Sequence, residues 1–257
     1  MSLVFDATRC TSCGICTSDC VCGILTMNGG LPTFKENGEK LCVHCGHCVA
    51  VCPEQAITLD GLDSAQLKKS ETCDLTPCLD AFLKQRRAVR QYDERYVEQN
   101  LLEKAFACAS YAPTAHNARQ VSYIVINGRD KVEKLLHATV RLMEEHHLYP
   151  NHTKNVRNGH DSLFRGAPCL ILIHAPERIL SETDCATAAS YLELAFPSFH
   201  LGSCWAGMFI EACAYGLPAG IQVPKGHKLY AALMVGKPAI AYKRIPFRTP
   251  PEIVWVS

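Results

Sequence analysis

The most constraining feature of this chain is a cysteine pattern that occurs twice within its first 52 residues. Both copies read C-x2-C-x2-C-x3-C, and the second copy follows the first at an interval of 32 residues. The members are Cys10, Cys13, Cys16 and Cys20, then Cys42, Cys45, Cys48 and Cys52. The echo continues in residues 25–29 (LTMNG) and 57–61 (ITLDG), so a strand and a turn are repeated together with the cysteines. The repeat therefore predicts a small module made of two related halves.

The cysteine spacing resembles that of bacterial two-cluster ferredoxins, in which three close cysteines bind one [4Fe–4S] cluster and the fourth crosses to the other. Carried over, the resemblance implies two ligand sets: Cys10, Cys13, Cys16 and Cys52, and Cys42, Cys45, Cys48 and Cys20. Zinc sites favour two separated ligand pairs, and a disulfide scaffold would require an exported protein. Both alternatives are therefore disfavoured.

Three neighbours of the motif carry smaller expectations. Val21 stands where this ferredoxin motif usually has proline, and we expect Cys22 to be a small buried thiol rather than a ligand. We expect His44 and His47 to tune a cluster by hydrogen bonding instead of ligating it. Gly14 and Gly46 fit the tight cluster-binding loops, where glycine tolerates positive φ.

The bulk properties set the domain organisation and the compartment. A chain of 257 residues predicts two domains, here 1–60 and 79–257, joined by a polar linker over 61–78. The net charge of +1 argues against a nucleic-acid partner, and no apolar run reaches membrane-spanning length. Sixteen cysteines suit a reducing interior. We therefore expect a soluble cytoplasmic protein with no membrane partner.

The second part of the chain mixes helical periodicity with buried strands. Helices are predicted over about 98–110, 130–147 (capped by Asp130), 183–201 and 208–215, and strands over 121–126, 169–175 and 229–235. Residues 149–167 are predicted to be irregular. His146 and His147 are expected to be exposed, because adjacent helical histidines point in different directions. The fold class is α+β.

Arg86, Arg87 and Arg90 form a basic cluster where a predicted helix ends. Guanidinium groups bind phosphate bidentately, so the cluster suits a phosphate group. Taken alone, a solvated basic turn explains it as well. The other segments of this part of the chain favour the phosphate-binding interpretation over the solvated turn.

Five segments in order resemble the FMN-dependent nitroreductase family: RRAVRQY at 86–92, APTAHN at 112–117, GSCWAG at 202–207, VGKP at 235–238 and KRIPFR at 243–248. The likeness covers residues 79–257. With the cysteine repeat in front, the whole chain resembles the ferredoxin-fused branch of that family. The resemblance implies a nitroreductase-like α+β domain that forms a homodimer, with FMN at the subunit interface.

The resemblance also assigns FMN-binding positions. Arg86, Arg87, Ala88 and Arg90 match the segment around the phosphate and ribityl chain, and Lys243 and Arg244 match further phosphate-side residues. Thr114, Ala115 and Asn117 match a loop that reaches the flavin from the opposite subunit, and either Arg119 or Gln120 takes the flavin-facing role. Cys204, Trp205, Ala206 and Gly207 match the segment that presents a backbone N–H to flavin N5; alternatively, Trp205 is a core aromatic. Arg248 is assigned to the surface, and His160 and Asp161 to the border of the substrate pocket.

These assignments predict an FMN-dependent oxidoreductase in which no side chain need act as a general acid or base. Electrons would enter from a ferredoxin-like carrier, pass through two [4Fe–4S] clusters to FMN, and reduce a small electron-poor acceptor such as a nitroaromatic, quinone or enone. One alternative is reduction by NAD(P)H, with the clusters exporting electrons. Another is an electron-carrier or redox-sensing module with no substrate.

Overall fold

A computed structural model describes residues 3–67, 76–246 and 248–256. The chain divides into two units, one comprising residues 1–74 with 116–118, and the other comprising 75–115 with 119–257. The first unit contains β1 (Leu3–Phe5), α1 (Ile15–Ser18), β2 (Leu25–Asn28), β3 (Leu31–Phe34), α2 (His47–Ala50), β4 (Ile57–Leu59) and β5 (Leu62–Asp63). Among the described residues, the second unit contains six α-helices and four strands, whose bounds are given below.

The two halves of the first unit repeat the same backbone course. Gly14 precedes α1 at φ 73°, and Gly46 precedes α2 at φ 76°. Positive φ favours glycine, which explains both glycines. Each helix leads to an antiparallel hairpin, β2–β3 in the first half and β4–β5 in the second. The internal repeat predicted from the sequence is therefore present in the backbone.

The first unit has a small apolar core of Cys16, Val49, Ile57 and Leu59. Strand β1 pairs antiparallel with β4, so a strand that precedes the first copy of the repeat is hydrogen-bonded to a strand of the second copy. The start of the predicted linker is folded in the same way, since β5 pairs with β4 and the Ser64 hydroxyl donates to Ile57 O. Residues 68–75 of that linker lie outside the described residues.

The second unit is built on a four-stranded antiparallel sheet of order β6-β7-β9-β8. Its elements are α3 (Thr76–Gln85), α4 (Gln99–Ala109), β6 (Ser122–Asn127), α5 (Arg129–Glu145), α6 (Pro150–Arg157), β7 (Cys169–Pro176), α7 (Ser181–Ala195), β8 (Gly202–Trp205), α8 (Gly207–Cys213) and β9 (His227–Gly236). The mixture of helices and sheet confirms the predicted α+β class.

Both faces of the central strands are covered. Leu170 and Leu172 of β7 belong to one core cluster, with Val132 of α5 and Phe209 of α8. Ile171 belongs to the cluster on the other face, together with residues of α4 and α7. Successive strand side chains point to opposite faces, so the continuous apolar run at 169–175 fills two cores at once.

The element boundaries differ from the predictions in three places. Residues 149–167, predicted to be irregular, contain α6, whose buried Thr153 and Val156 are three residues apart on one face. The helix predicted over 183–201 is α7 followed by a 3-10 turn at Phe196–Phe199 that contains Pro197. The N-cap of α5 is Gly128, and Asp130 lies in the first turn instead. Within the described ranges, no helix is both long and apolar enough to cross a membrane.

Candidate functional site

The first candidate centre is a cavity in the first unit lined by Cys10, Cys13, Cys16 and Cys52. The first three cysteines come from one half of the repeat, and Cys52 comes from the other, which is the crossing predicted from the spacing. The remaining lining includes the apolar side chains of Phe5, Met27, Pro32 and Ile57. Four thiols around one largely apolar cavity fit a cluster in which each iron takes one cysteine.

The thiols within each group interact electrostatically. Burial raises the pKa of Cys16, and the neighbouring Cys52, Cys13 and Cys10 raise it further. Burial likewise raises the pKa of Cys48 to about 11, with added contributions from Cys45 and Cys42. Binding iron requires thiolates, so cluster assembly must displace protons that these sites hold in its absence. Cys20, the predicted crossing ligand of the second set, is half-buried.

A cluster site differs from a site for a single metal ion. Among the residues that the structure describes, no three His, Cys, Asp or Glu side chains converge on one point as a mononuclear centre requires. The thiols instead surround a space. The amide N–H of Ala56 donates to Cys52 Sγ at 3.3 Å, a contact of the kind that tunes cluster potentials.

The histidines of the cluster loops contact carboxylates. His44 Nδ1 lies 2.6 Å from Asp60 Oδ2, and His47 Nδ1 lies 3.7 Å from Asp19 Oδ2. Their predicted tuning role stays a prediction. The expectation that Cys22 is buried is wrong, because its side chain is exposed.

The second candidate centre surrounds the arginine segment that follows α3. Ala88 forms a parallel bridge with Ser203 of β8, and the Val89 amide donates to Ser203 O at 2.8 Å. Gly202 permits this approach, because a Cβ at that position would overlap Val89. The segment thereby makes a single β-bridge to β8, which fixes the backbone between Arg87 and Arg90 at this strand.

An open cavity of about 570 Å³ is lined in part by Arg86, Arg87, Ser203 and Tyr242. Arg87 Nη1 donates to Arg86 O at 2.6 Å. The Arg87 Nε atom is buried and has no hydrogen-bond partner within the described part of the chain. A buried guanidinium donor without an acceptor is costly unless an anion supplies one. This observation fits a bound phosphate group.

Several charged side chains act on the pKa of the Cys204 thiol, which lies in β8 at this site. Burial raises the pKa of Cys204, Arg90 and Arg165 lower it, Glu193 raises it, and Arg86 lowers it. Three of the four charged groups that shift this pKa most are guanidiniums. Arg165 had been missed by sequence reasoning, because it lies in a turn at φ 58° with no motif around it.

The segment 204–207 runs from β8 into α8. Trp205 is 39% exposed, so the alternative that it is a core aromatic is wrong. The Ala206 amide donates to Ala232 O at 2.9 Å and is therefore engaged in the sheet. Gly207 is the first residue of α8, and within the described part of the chain the space beside its Cα is open. First-turn amides have no acceptor inside a helix, so Gly207 is the better candidate for a backbone donor to a ligand.

Glu193 is the other site residue that sequence reasoning missed. Its carboxylate accepts from Arg86 Nη1 at 3.2 Å and from Trp205 Nε1 at 2.8 Å. One signal could have found it: Glu193 is an acid in the otherwise apolar final turns of α7, near a helix C-terminus that disfavours negative charge.

The predicted loop at 114–120 is anchored elsewhere. The Ala115 amide donates to Asp184 Oδ1 at 2.9 Å, and the Arg119 amide donates to Thr114 Oγ1 at 3.0 Å. Asp184 and Glu193 are nine residues apart on α7, which is about 14 Å along a helix axis. The Ala115 amide and the Arg86 guanidinium thus contact α7 at residues nine positions apart. Gln120, like Arg119, is exposed, so the choice between them stays open.

Asn117 belongs with the first unit, to which residues 116–118 are assigned. Its Nδ2 donates to Val43 O at 2.9 Å, next to Cys42. The predicted flavin-facing role of Asn117 is untested by this contact, which shows only that its side-chain amide already serves the cluster loop.

The remaining predicted positions lie at the surface or stabilise turns. Lys243, Arg244 and Arg248 are exposed, and the Phe247 of their motif is outside the described residues. Asp161 accepts hydrogen bonds from three backbone amides, those of Leu163, Phe164 and Gly166, so its carboxylate organises a turn. His146, His147 and His160 are exposed; for His146 and His147 this confirms the prediction.

Both parts of the chain match models of known protein families. Residues 83–237 match the model of the nitroreductase family, and residues 9–57 match that of a 4Fe-4S dicluster domain, with a second dicluster match at 41–85. A curated relative from Methanothermobacter thermautotrophicus, named putative NADH dehydrogenase/NAD(P)H nitroreductase, is 26% identical over 163 residues, covering 61% of this chain and 75% of that protein.

Two solved structures share the fold. A nitroreductase with bound FMN from Bacteroides fragilis aligns with a TM-score of 0.56 at 22% identity, covering 72% of this chain and 100% of its own. A nitroreductase with bound FMN from Desulfitobacterium hafniense aligns at 0.58 and 19% identity, covering 69% and 97%. The two resemblances drawn from the sequence, one for each part of the chain, are confirmed.

Proposed function

Because this chain belongs to the nitroreductase family and carries a 4Fe-4S dicluster domain in front, we propose that it is an FMN-dependent oxidoreductase supplied with electrons through two [4Fe–4S] clusters. A ferredoxin-like carrier is the proposed donor, and an electron-poor nitroaromatic, quinone or enone is the proposed acceptor. The observation that carries the proposal is the fusion of a one-electron module with a flavoenzyme fold in one chain. The cysteine-rich composition supports a reducing, cytoplasmic setting.

The cluster ligands in this proposal are the two crossed cysteine sets. The cavity formed by Cys10, Cys13, Cys16 and Cys52 supports the first set. The mutual effects of Cys42, Cys45 and Cys48 on pKa support three members of the second, with Cys20 as the fourth. Bound clusters would supply one-electron transfer, while the polypeptide provides thiolates, an apolar wall and amide donors to sulfur.

The FMN ligands in this proposal are grouped by the part of the cofactor that each would hold. Arg87, whose buried Nε has no partner among the described residues, would hold the phosphate beside Arg86 and the Ala88 backbone, with Lys243 and Arg244 contributing from the surface. Arg90 and the segment 204–207 would face the ring, and Gly207 would offer its amide. Bound flavin would supply hydride transfer, and these residues would orient its ring and balance its charge.

The proposed assembly is a homodimer in which the loop 114–120 of one protomer completes the site of the other. Supporting this, Asp184 anchors that loop about 14 Å along α7 from Glu193. In the proposed dimer, the second copy supplies the loop that this chain anchors at the other end of α7. Residues Thr114, Ala115, Asn117 and Arg119 are the proposed contributors from the partner.

The test is an anaerobic absorption spectrum with iron, sulfide and flavin counted per chain. The proposal expects about eight irons and one FMN. Reduction by a low-potential ferredoxin should bleach the flavin band together with the cluster absorption. Protein that binds no FMN, or whose flavin stays oxidised when the clusters are reduced, would contradict the proposal.

A second input is favoured by one observation, the name NAD(P)H nitroreductase given to the Methanothermobacter relative. Here a nicotinamide would reduce the flavin, and the clusters would export electrons. Stopped-flow mixing with NADH, NADPH and reduced ferredoxin separates the two inputs by which one reduces the flavin within a turnover. Product formation in excess of enzyme, with a panel of acceptors, excludes a carrier module with no substrate.

A further inference from the structure

We infer that Glu193 is a positioning residue of the proposed flavin site, where it ties the Arg86 guanidinium to the Trp205 indole. The inference rests on the proposed function, because Arg86 and Trp205 are the residues assigned there to opposite ends of the cofactor. Glu193 itself is placed by α7, outside every segment that resembles the family motifs.

The contacts of Glu193 use both of its carboxylate oxygens. Oε1 accepts from Arg86 Nη1 at 3.2 Å, and Oε2 accepts from Trp205 Nε1 at 2.8 Å. The Glu193 side chain is only 11% exposed, against 33% for Arg86. A carboxylate withdrawn from water to this extent requires charge-assisted partners, and here it has two on different elements.

The position of Glu193 runs against local preference. It lies two residues before the end of α7, where the helix dipole disfavours an acid, and the preceding Leu192 is fully buried in the core. Places where a chain breaks a local rule are often functional sites. The compensation comes from Arg86 and Trp205, so the carboxylate connects the arginine segment with β8.

This arrangement divides the work between the two adjacent arginines. The Arg86 guanidinium is partly neutralised by its ion pair with Glu193. The Nε of Arg87, by contrast, is buried and has no partner among the described residues. Arg87 is then the principal phosphate donor, and Arg86 sets the geometry. On the other side, the bond to Nε1 fixes the edge of the Trp205 indole, and the ring remains 39% exposed to a ligand.

The test compares Glu193→Gln and Glu193→Ala in the full chain carrying Trp255→Phe, which leaves Trp205 as the only tryptophan. Glu182→Gln is the matched control, because Glu182 is an exposed acid in the first turn of the same helix. The first readout is hydrogen exchange of the indole Nε1–H, measured by NMR with and without FMN. Loss of a bond to a charged group should speed exchange about 10- to 100-fold in Glu193→Ala, with a smaller change in Glu193→Gln.

The second readout is the midpoint potential of the bound flavin, which an ion pair remote from the cofactor would not move. Glu193 contacts Trp205, which the proposed function places against the ring, so removing its negative charge should favour the electron-rich reduced flavin and raise the potential in Glu193→Gln, while the melting temperature stays near that of the parent. Glu182→Gln should change neither readout. Since Glu193→Gln preserves side-chain shape, it decides the matter even where Glu193→Ala fails to fold.

Unchanged indole exchange in Glu193→Ala, or an unchanged flavin potential in Glu193→Gln, would overturn the inference. Its failure differs from failure of the proposed function. Protein that binds no FMN would overturn the function, whereas the exchange measurement without FMN still decides whether Glu193 holds Trp205. Normal flavin reduction with an indifferent Glu193 would leave the function standing and remove the positioning role.

Discussion

The two units of this protein encode their sites in opposite ways. In the first unit the proposed ligands are eight cysteines at fixed spacing, and the apolar core cluster of the described residues has four buried members. In the second unit a sheet with two filled faces carries a site whose members come from α3, α7, β8 and the region after β9. We therefore expect the small unit to depend on its cofactors for stability, and the larger unit to hold its site by packing.

The largest expected effect is the loss of a crossing ligand in the first unit. Cys52→Ala should lower the iron content from about eight per chain to about four or fewer, because Cys52 joins the two halves of the repeat. Iron and sulfide analysis measures this. Cys22→Ala is the control, since Cys22 is an exposed thiol outside both predicted sets. Equal iron loss in both variants would contradict the assignment of Cys52 as a crossing ligand.

Core truncation in the second unit should act without touching the clusters. Ile171 is fully buried in the face of the sheet covered by α4 and α7. Ile171→Ala should lower the free energy of unfolding by about 2–5 kcal/mol, and Ile171→Val by about 0.5–1.5 kcal/mol. Denaturant unfolding followed by tryptophan fluorescence measures both. The iron content should stay unchanged, and a parallel loss of iron would show that the two units are not independent in stability.

The phosphate site should respond to loss of the buried guanidinium. Arg87→Met removes the donor Nε that has no partner within the described residues. FMN affinity should fall by about 10- to 100-fold, corresponding to a charge-assisted hydrogen bond of about 1.5–3 kcal/mol. Titration of FMN-free protein measures it. Arg141→Met, at an exposed position of α5, is the matched control, and similar weakening in both variants would contradict the assignment.

The smallest effect concerns thiols that are buried as core residues. Burial raises the pKa of Cys169 to about 12 from an ordinary 9.0. The unfolded state therefore releases its proton first, so stability present below pH 9 is lost as the pH rises toward 12. At pH 10 the loss from Cys169 is about 1.4 kcal/mol. Cys169→Ala should flatten the decline in unfolding free energy between pH 8 and pH 10, and an unaltered slope would count against a buried neutral thiol.

The same difference between the two units determines which of their structural features can be predicted from the sequence. Cysteine spacing with Gly14 and Gly46 specifies ligands and backbone locally, so the repeat was predictable in detail. Buried strands such as β7 were predictable because their apolar runs are unbroken. Helix α6 could not be predicted, because only two of its residues are buried and its sequence is too polar to show an apolar helical periodicity.

Glu193 and Arg165 depend on tertiary contacts that no local pattern encodes. Glu193 meets Arg86 across 107 positions of the chain, so only the folded sheet brings the two together. The loop around Asn117 shows the same limit, because its family motif says nothing of a bond to Val43 O. A sequence motif can therefore indicate which cofactor a segment binds, but the hydrogen-bond partners of its side chains are known only from the folded structure.

The pairing of residues 88–89 with β8 has a consequence for solubility. Strand β8 ends the sheet order, so the arginine segment occupies hydrogen-bonding positions that would otherwise be open to another chain. Exposed sheet edges template intermolecular pairing and aggregation. A bulky side chain at Gly202 would detach this segment from β8. We expect such a variant both to lose its cofactor and to expose a sheet edge that can pair with another chain. Cofactor-depleted preparations of such variants should therefore precipitate rather than remain as inactive monodisperse protein.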